Sequence, residues 1–299
     1  MEKRRIVIPV VFLLLIALLL EVFSVAKDQY EETPTLHLLM MHVVCEEMPE
    51  DKKLHNLYIT TERLAEYCDY FTNSDYQIVS LEEAYRIFKG EEEAKKSDLL
   101  VFTFDDGYED NYLLGYPVLQ KYGVKANINV VAKVIEDEVP LWGTRYLRWE
   151  QIKEMQDSGL IEIGSHTYNS HEYTTDERGK SVPLLKAKLA GETDEMRKNR
   201  IFDDLMKADQ LISENLGVKT KIMAYPYGVP PMDLLKEIVE KLEYPIGMLV
   251  TQGVNRNLED FPMLNRFTVS GNESAEQLDR RMKRYKGMDF LDNFIIRKN

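Results

Sequence analysis

The stretch Val101-Phe-Thr-Phe-Asp-Asp-Gly-Tyr-Glu-Asp110 decides how the rest of this chain is interpreted. With two leucines before it, it begins as an apolar run typical of a strand covered on both faces, as in a parallel sheet. The run ends in two adjacent carboxylates, Asp105 and Asp106, and Gly107 permits the backbone to turn there. Because like charges repel, such a pair indicates a site where one carboxylate binds a cation and the other acts as a base. An ordinary strand end with an Asp-Gly turn is the structural alternative.

The hydrophobic pattern of the remaining chain alternates strands with helices. Short apolar runs predict strands near residues 36–44, 77–80, 99–105, 125–131, 161–166, 221–225 and 246–251. Amphipathic segments predict helices near residues 61–72, 81–88, 112–122, 149–157, 201–215 and 232–242, with a last one after residue 274. Repeated β-then-α units favour an α/β fold, a distorted (β/α) barrel of about seven parallel strands. Functional residues of such barrels lie at the carboxyl ends of the strands, where Asp105 and Asp106 fall.

The N-terminal region has the composition of an export signal. A basic start (Glu-Lys-Arg-Arg, residues 2–5) precedes uncharged apolar residues 6–20, and Ser24-Val25-Ala26 supplies a small-x-small site. This order predicts a signal peptide cleaved after Ala26, and an uncleaved anchor that attaches the chain to the membrane through residues 6–26 is the alternative. Both place the remainder outside the cytoplasm, secreted or anchored to the outer face of the membrane. The expected division is a signal peptide or anchor at residues 1–26, a linker at 27–35 and one folded domain at 36–299.

Charge and cysteine content restrict the partners of the chain. The formal net charge is -13 over 299 residues, and it becomes -14 without residues 1–26, so nucleic acid is not an expected partner. The two cysteines, Cys45 and Cys68, could form a disulfide outside the cytoplasm. Two buried thiols fit the sequence equally well, because spacing does not reveal pairing.

A second polar cluster, Gly164-Ser-His-Thr-Tyr-Asn-Ser-His171, closes the strand predicted at residues 161–166. Its histidines, His166 and His171, are five positions apart, so neither a helix nor a strand aligns them and a loop has to do so. Together with Asp106 they form a two-histidine, one-carboxylate set with open positions, which suits zinc or another divalent transition metal. Two ordinary surface histidines are the structural alternative.

A third strand end reads Ala224-Tyr-Pro-Tyr-Gly228. Pro226 and Gly228 favour an unusual turn, and a backbone N–H in such a turn can point at a bound oxygen. A tight turn with aromatic packing is the alternative.

Together, these three segments resemble the motifs of the polysaccharide deacetylase family, metal-dependent enzymes built on the NodB-homology domain. Residues 103–107 (Thr-Phe-Asp-Asp-Gly) match its first motif, which implies that Asp105 is the catalytic base and Asp106 a metal ligand. Ser165-His-Thr167 with His171 matches the second motif, which implies that both histidines of the cluster are ligands. Their longer spacing resembles the poly-N-acetylglucosamine deacetylase branch.

The third motif matches Tyr225-Pro-Tyr-Gly228. The resemblance implies that the backbone amide of Tyr227 binds an oxyanion and that Tyr225 contacts substrate. Many members carry an arginine at the head of this motif, where this chain has Ala224. We therefore expect the arginine that orients the base to come from elsewhere, and Arg266 is the candidate.

A general-acid histidine is the second departure from the family pattern. Many members supply it from a late Leu-x-x-His segment, but no histidine follows His171 here. The pattern occurs early instead and ends in His42, which lies nearer the carboxyl end of its predicted strand than His37. His55 falls in a charged, loop-like stretch. His42 is therefore the predicted acid, and packing beneath the site is its structural alternative.

The resemblance implies a metal-dependent hydrolase that removes N-acetyl groups from an extracellular N-acetylglucosamine-containing polysaccharide: poly-N-acetylglucosamine, peptidoglycan or a chitin-like polymer. The implied cofactor is one divalent transition metal ion, zinc first, with cobalt, nickel or manganese as alternatives. Aromatic faces suit sugar rings, so Tyr108 and Trp142 are expected to contact substrate, whereas Trp149 is expected to pack against the barrel. Residues 172–193 are expected to border the groove. A silent glycan-binding module and a deacylase of another ester or amide remain alternative functions.

Overall fold

A curled parallel β-sheet forms the centre of the molecule. The computed structural model describes residues 2–137 and 145–296. The strands in these residues are β1 (Thr35–Met41), β2 (Val43–Cys45), β3 (Tyr58–Thr60), β4 (Tyr76–Ile78), β5 (Asp98–Phe104), β6 (Ala126–Val130), β7 (Ile161–Ser165), β8 (Tyr173–Thr175), β9 (Ser181–Pro183), β10 (Ile222–Ala224), β11 (Ile246–Met248) and β12 (Phe267–Thr268). Eight of them form the sheet, in the order β11-β10-β7-β6-β5-β1-β12 with β4 beside β5, and all its ladders are parallel. The predicted α/β architecture is confirmed. The strand beyond the expected seven is β12, whose two residues are too few to show a hydrophobic pattern.

Helices cover the sheet. They are α1 (Glu2–Glu32), α2 (Thr61–Thr72), α3 (Leu81–Phe88), α4 (Tyr116–Tyr122), α5 (Ala132–Glu136), α6 (Trp149–Asp157), α7 (Asp194–Leu216), α8 (Leu235–Lys241) and α9 (Ala275–Ile296). Three helices, α2, α3 and α6, have the predicted bounds. Helix α7 begins seven residues before its predicted start at residue 201, because the Thr193 side chain accepts a hydrogen bond from Met196 N and two acidic residues follow in the first turn.

Strand β5 lies in the middle of the sheet and is buried on both faces, as its sequence predicts. Leu100 and Phe102 pack in the cluster that the outer helices cover, whereas Leu99 and Val101 pack in a second cluster on the opposite face. One edge of β5 pairs with β1; β4 takes the first half of the other edge and β6 the second half. Asp105 continues the face of Leu99 and Val101 at the point where the strand ends.

The two outer strands of the sheet are bridged by backbone hydrogen bonds. Leu249 N donates to Leu264 O at 2.8 Å, and Arg266 N donates to Thr251 O at 2.9 Å. Residues 264–266 are thereby held beside the end of β11. They run directly into β12, which pairs with β1. These bonds bring the two edges of the sheet together, as expected for a curled sheet.

Residues 27–32, which belong to the expected linker, are helical and form the end of α1. The Tyr30 hydroxyl donates to Asp289 Oδ2 of α9 at 2.8 Å, and the Arg256 guanidinium lies 3.3 Å from the centre of the Tyr30 ring. Lys286 of α9 pairs with Glu31 at 2.9 Å. These contacts order the segment against the domain, so only residues 33 and 34 separate α1 from β1. In the described part of the chain, no helix reaches the combination of length and hydropathy that a membrane span requires.

Candidate metal centre and active site

The three sequence motifs meet at the carboxyl ends of β5, β7 and β10. Each motif contains a residue with a left-handed backbone: Asp106 (φ 73°), Thr167 (φ 74°) and Tyr227 (φ 58°). In the described chain only one other non-glycine residue, Glu243, has a positive φ. Such conformations cost about 1–3 kcal/mol each and cluster at functional sites. The strain therefore marks this rim independently of the motifs.

Asp106, His166 and His171 form a cluster with the geometry of a metal ligand set. Their ligand atoms all lie within 4.8 Å of one another. Asp106 Oδ1 lies 3.4 Å from His166 Nε2 and 3.3 Å from His171 Nε2, and this buried oxygen has no hydrogen-bond partner among the described residues. Two ligands about 2.0–2.2 Å from a tetrahedral zinc ion are roughly 3.3–3.5 Å apart. A carboxylate oxygen between two imidazoles at these distances fits a cation.

Neighbouring groups prepare both histidines to act as ligands. His166 Nδ1 donates to the backbone oxygen of Ala224 at 2.7 Å, so its Nε2 faces Asp106. The His171 ring stacks on Tyr227, with the ring centres 4.8 Å apart. Burial lowers the pKa of His171 to about 4, so at neutral pH it is the uncharged form that binds cations.

The carboxylate of Asp105 is buried and held by three donors. Arg266 Nη1 and Nη2 donate to Oδ1 and Oδ2 at 2.9 and 2.7 Å, and Asn129 Nδ2 donates to Oδ1 at 2.8 Å. Burial alone would raise the pKa of Asp105, but the positive charge of Arg266 outweighs it and holds the pKa well below its usual range. Arg266, predicted as the partner of the base, is therefore placed against Asp105 in a two-point ion pair in which both side chains are almost fully buried.

Asn129 is a residue of the site that sequence reasoning missed. It lies in β6, and its side chain occupies space that a larger residue at Gly164 would fill: a Cβ at Gly164 would lie 2.1 Å from Asn129 Oδ1. The available signal was the alternation of asparagine with apolar residues in a strand whose residues are all buried. Buried amides need partners, and here the partner is Asp105.

His42 and Tyr227 lie on the same rim. His42 follows β1, its backbone oxygen accepts a hydrogen bond from Asn111 Nδ2 at 2.8 Å, and its buried Nδ1 is unpartnered within the described residues. Tyr227 belongs to the turn Pro226–Gly228, where a Cβ on Gly228 would lie 2.5 Å from Val250 N. Only glycine fits this turn.

The expected substrate residues are placed in different environments. Tyr108 lies at the rim, where its ring stacks on Tyr146 with centres 5.3 Å apart. The expectation for Tyr225 is not supported, because its side chain is fully buried among apolar residues and its ring packs against Gly247. Trp142 lies outside the described residues. Trp149 packs against the outer cluster, as expected.

Part of the segment expected to border the groove forms a hairpin, β8 with β9. Tyr173 in β8 is 55% exposed, and its ring centre lies 4.4 Å from that of Tyr227. The hairpin therefore begins beside the cluster of Asp106, His166 and His171. Cys45 and Cys68 are both free thiols, and burial raises the pKa of the Cys68 thiol to about 12.

The fold and this rim define a class: parallel α/β proteins with a cluster of two histidines and one carboxylate, and a buried acid–arginine pair, at the strand ends. This chain belongs to the polysaccharide deacetylase family, whose model matches residues 92–247. It is 25% identical over 242 residues to the poly-β-1,6-N-acetyl-D-glucosamine N-deacetylase of Staphylococcus aureus (strain MRSA252), covering 81% of this chain and 76% of that protein.

The namesake enzyme of Escherichia coli (strain K12) is 24% identical over 235 residues, which are 73% of this chain but only 34% of that longer protein. Among solved structures, a de-N-acetylase from Aggregatibacter actinomycetemcomitans superposes with a TM-score of 0.71, at 22% identity, over 82% of this chain and 99% of that one. This superposition confirms the expected barrel-like fold. The sequence relatives place the chain close to the poly-N-acetylglucosamine deacetylases within the family.

Proposed function

We propose that this protein is a metal-dependent hydrolase that removes N-acetyl groups from an extracellular N-acetylglucosamine-containing polysaccharide. The observation that carries the proposal is the unpartnered Asp106 oxygen between two imidazole nitrogens, directly beside the Asp105–Arg266 pair. A cation site next to a buried carboxylate is one arrangement that can catalyse amide hydrolysis. The similarity to poly-N-acetylglucosamine deacetylases supports this glycan as the substrate.

Asp106, His166 and His171 would hold the metal, for which zinc is the first choice because of the two imidazoles and one carboxylate. When bound, such an ion polarises the amide carbonyl and lowers the pKa of a water molecule. The low pKa of Asp105 keeps its carboxylate ionised, so this group would accept the proton of the attacking water molecule. Arg266 and Asn129 fix the direction in which the carboxylate points.

Two further groups would complete the reaction. The backbone N–H of Tyr227 would donate to the oxyanion of the tetrahedral intermediate, and losing such a donor typically costs roughly 3–4 kcal/mol in the barrier. His42 would give a proton to the departing nitrogen, which is otherwise a poor leaving group. Two aromatic rings beside the ligands, the half-buried Tyr108 and the exposed Tyr173, would contact the sugar.

His42→Ala is expected to retain metal and substrate binding while turnover falls by about 100-fold or more, because the leaving amine then departs without a proton. Steady-state turnover on an N-acetylglucosamine oligomer and the zinc content of the same preparation are the measurements. Near-normal turnover would remove His42 from the reaction. Loss of zinc would show that it supports the ligands instead.

Arg266→Ala is expected to lower the free energy of unfolding by about 3–5 kcal/mol, because it leaves the buried carboxylate of Asp105 without its compensating charge. Urea unfolding measures this. The matched control is Arg280→Ala, which breaks an exposed pair with Glu276 at 3.5 Å and is expected to cost less than about 0.5 kcal/mol. Equal losses in the two variants would contradict the compensating role of Arg266.

We also propose that α1 is kept in the mature protein, as an anchor on the outer face of the membrane. Cleavage after Ala26 would remove Phe23, whose ring packs edge-on against Phe290 and Phe294 of α9 at 5.2 and 5.4 Å. Phe23 lies between the apolar residues 6–20 and the docked end of the helix. The catalytic domain would then begin within α1. The intact mass of the protein from host membranes is expected to include residues 1–26, and a mass lacking them would favour the signal peptide.

The proposed activity is tested by acetate release from a glycan panel. Oligomers of β-1,6-linked N-acetylglucosamine, chitin oligomers, peptidoglycan and acetylxylan are incubated with the zinc-loaded protein. We expect release from the β-1,6-linked oligomers to be fastest. Release from acetylxylan alone would indicate a deacylase of esters, and binding of glycan with no release from any substrate would indicate a silent binding module.

A further inference from the structure

The loop between the two histidine ligands is held by a residue from a distant helix. Asp204 of α7 accepts hydrogen bonds from Tyr168 N to Oδ2 at 2.7 Å and from Asn169 N to Oδ1 at 3.2 Å. The Ser170 hydroxyl also donates to Oδ1. One carboxylate therefore binds three consecutive residues of the four that separate His166 from His171.

The ends of this loop differ in how they are fixed. His166 closes β7, where its Nδ1 is bound to a backbone oxygen of β10. His171 lies outside regular structure, and its side chain keeps 28% exposure. The position of its Nε2 relative to Asp106 therefore depends on the path of the loop. Thr167, in its left-handed conformation, starts the turn, and its hydroxyl accepts from Ser170 N at 3.1 Å.

Helix α7 also holds the outer side of the loop. Lys207 Nζ, one turn after Asp204, lies 3.8 Å from the centre of the Tyr168 ring. The backbone of α5 completes the support, because Lys133 N donates to Tyr168 O at 3.0 Å. The carboxylate is the only one of these groups that binds the backbone N–H of both Tyr168 and Asn169 among the described residues.

We infer that Asp204 is a positioning residue that sets the cation affinity of the site by fixing the loop path that brings His171 to Asp106. It explains how a spacing of five residues yields two converging imidazoles. Without the carboxylate, two backbone donors and a hydroxyl lose their acceptor, and the loop is free to move His171 away from the other two ligands. This inference rests on the proposed metal-dependent function.

The test measures the zinc dissociation constant of the full chain, stripped of metal, by competition with a chromophoric chelator. Asp204→Ala is expected to bind zinc about 10–100-fold more weakly, as is typical when a partner that orients ligands is lost. Asp203→Ala changes the exposed neighbour on the same helix and is expected to leave the constant unchanged. Asp204→Asn keeps one acceptor oxygen and is expected to lie between the wild type and Asp204→Ala.

The outcomes separate this inference from the proposed function. Folding of each variant is checked by urea unfolding of the metal-free protein, and Asp204→Asn replaces Asp204→Ala if the latter does not fold. A zinc constant in the Asp204 variants within about twofold of the Asp203 control overturns this inference alone. A wild-type chain that binds no zinc overturns both the inference and the metal-dependent function.

Discussion

Asp105→Asn is expected to keep its metal while turnover falls by about 10²–10⁴-fold, the range typical of a lost general base. The substitution is almost isosteric, so the amide oxygen can still accept from Arg266 Nη1 and Asn129 Nδ2, whereas the bond from Arg266 Nη2 is lost. It removes the negative charge that would receive a proton from water. The ligand set of Asp106, His166 and His171 is untouched. Acetate release and zinc content, measured on one preparation, separate the two effects.

The matched control for this variant is Asp110→Asn. Asp110 belongs to the same segment of sequence but makes no side-chain cap at the turn that follows it, and it is not part of the ligand cluster. It is expected to retain full turnover. Should Asp105→Asn turn over at the rate of this control, Asp105 would be a structural partner of Arg266 only. A loss of zinc in Asp105→Asn would instead place it among the ligands.

His171→Ala is expected to abolish stoichiometric zinc binding and, with it, acetate release. Two remaining ligands, Asp106 and His166, leave a site with one protein donor fewer than catalytic zinc centres use. The fold should be largely retained, because His171 is partly exposed and lies in a loop. Elemental analysis gives the zinc content, and circular dichroism reports the fold.

His55→Ala is the control for the loss of a histidine as such. The His55 ring hydrogen-bonds to Pro49 O through Nε2 and to Asn272 Nδ2 through Nδ1. Neither partner belongs to the ligand cluster. It is expected to bind one zinc per chain. Unchanged zinc content in His171→Ala would show that the ligand assignment is wrong, whatever the effect on turnover.

Much of the fold could be predicted because its elements carry strong periodic patterns. The bounds of α2, α3 and α6 agree with the sequence because each has a buried stripe, and Ser80 with Glu83 forms the capping box that starts α3. The elements that were missed are short or irregular. Strands β2, β3, β8 and β9 have three residues each, too few for a period to be visible. The helical structure of residues 27–32 could not be predicted because the contacts that continue α1 come from α9, which lies more than 250 residues away.

The site residues also divide into those that the sequence could predict and those that it could not. Asp105, Asp106, His166 and His171 could be placed on one rim because each follows a predicted strand, and parallel strands bring their carboxyl ends together. Contacts between residues far apart in the sequence were harder to predict. Arg266 could be proposed only through the missing arginine of the third motif, since 161 residues separate it from Asp105.

Asn129 and Asp204 were not found because neither belongs to a motif, and their importance lies in what they touch. Tyr225 was misplaced for a related reason. Residues two apart on a strand face the same side, but Tyr227 has a left-handed backbone (φ 58°) in the turn Pro226–Gly228, so the two rings point in different directions. The structure buries the Tyr225 ring and leaves that of Tyr227 against His171.

We propose above all that Asp106, His166 and His171 would hold one cation beside the base Asp105, and that the protein hydrolyses the acetamide of an N-acetylglucosamine polymer. The most direct measurement is acetate release from a β-1,6-linked N-acetylglucosamine oligomer by the metal-free chain as zinc is added in steps. We expect no acetate release without zinc and a linear rise in the release rate that ends at one zinc per chain. In Asp105→Asn we expect almost no release at any zinc level. Acetate release at the full rate by the metal-free chain would contradict this proposal, and so would a rate in Asp105→Asn equal to that of the wild type.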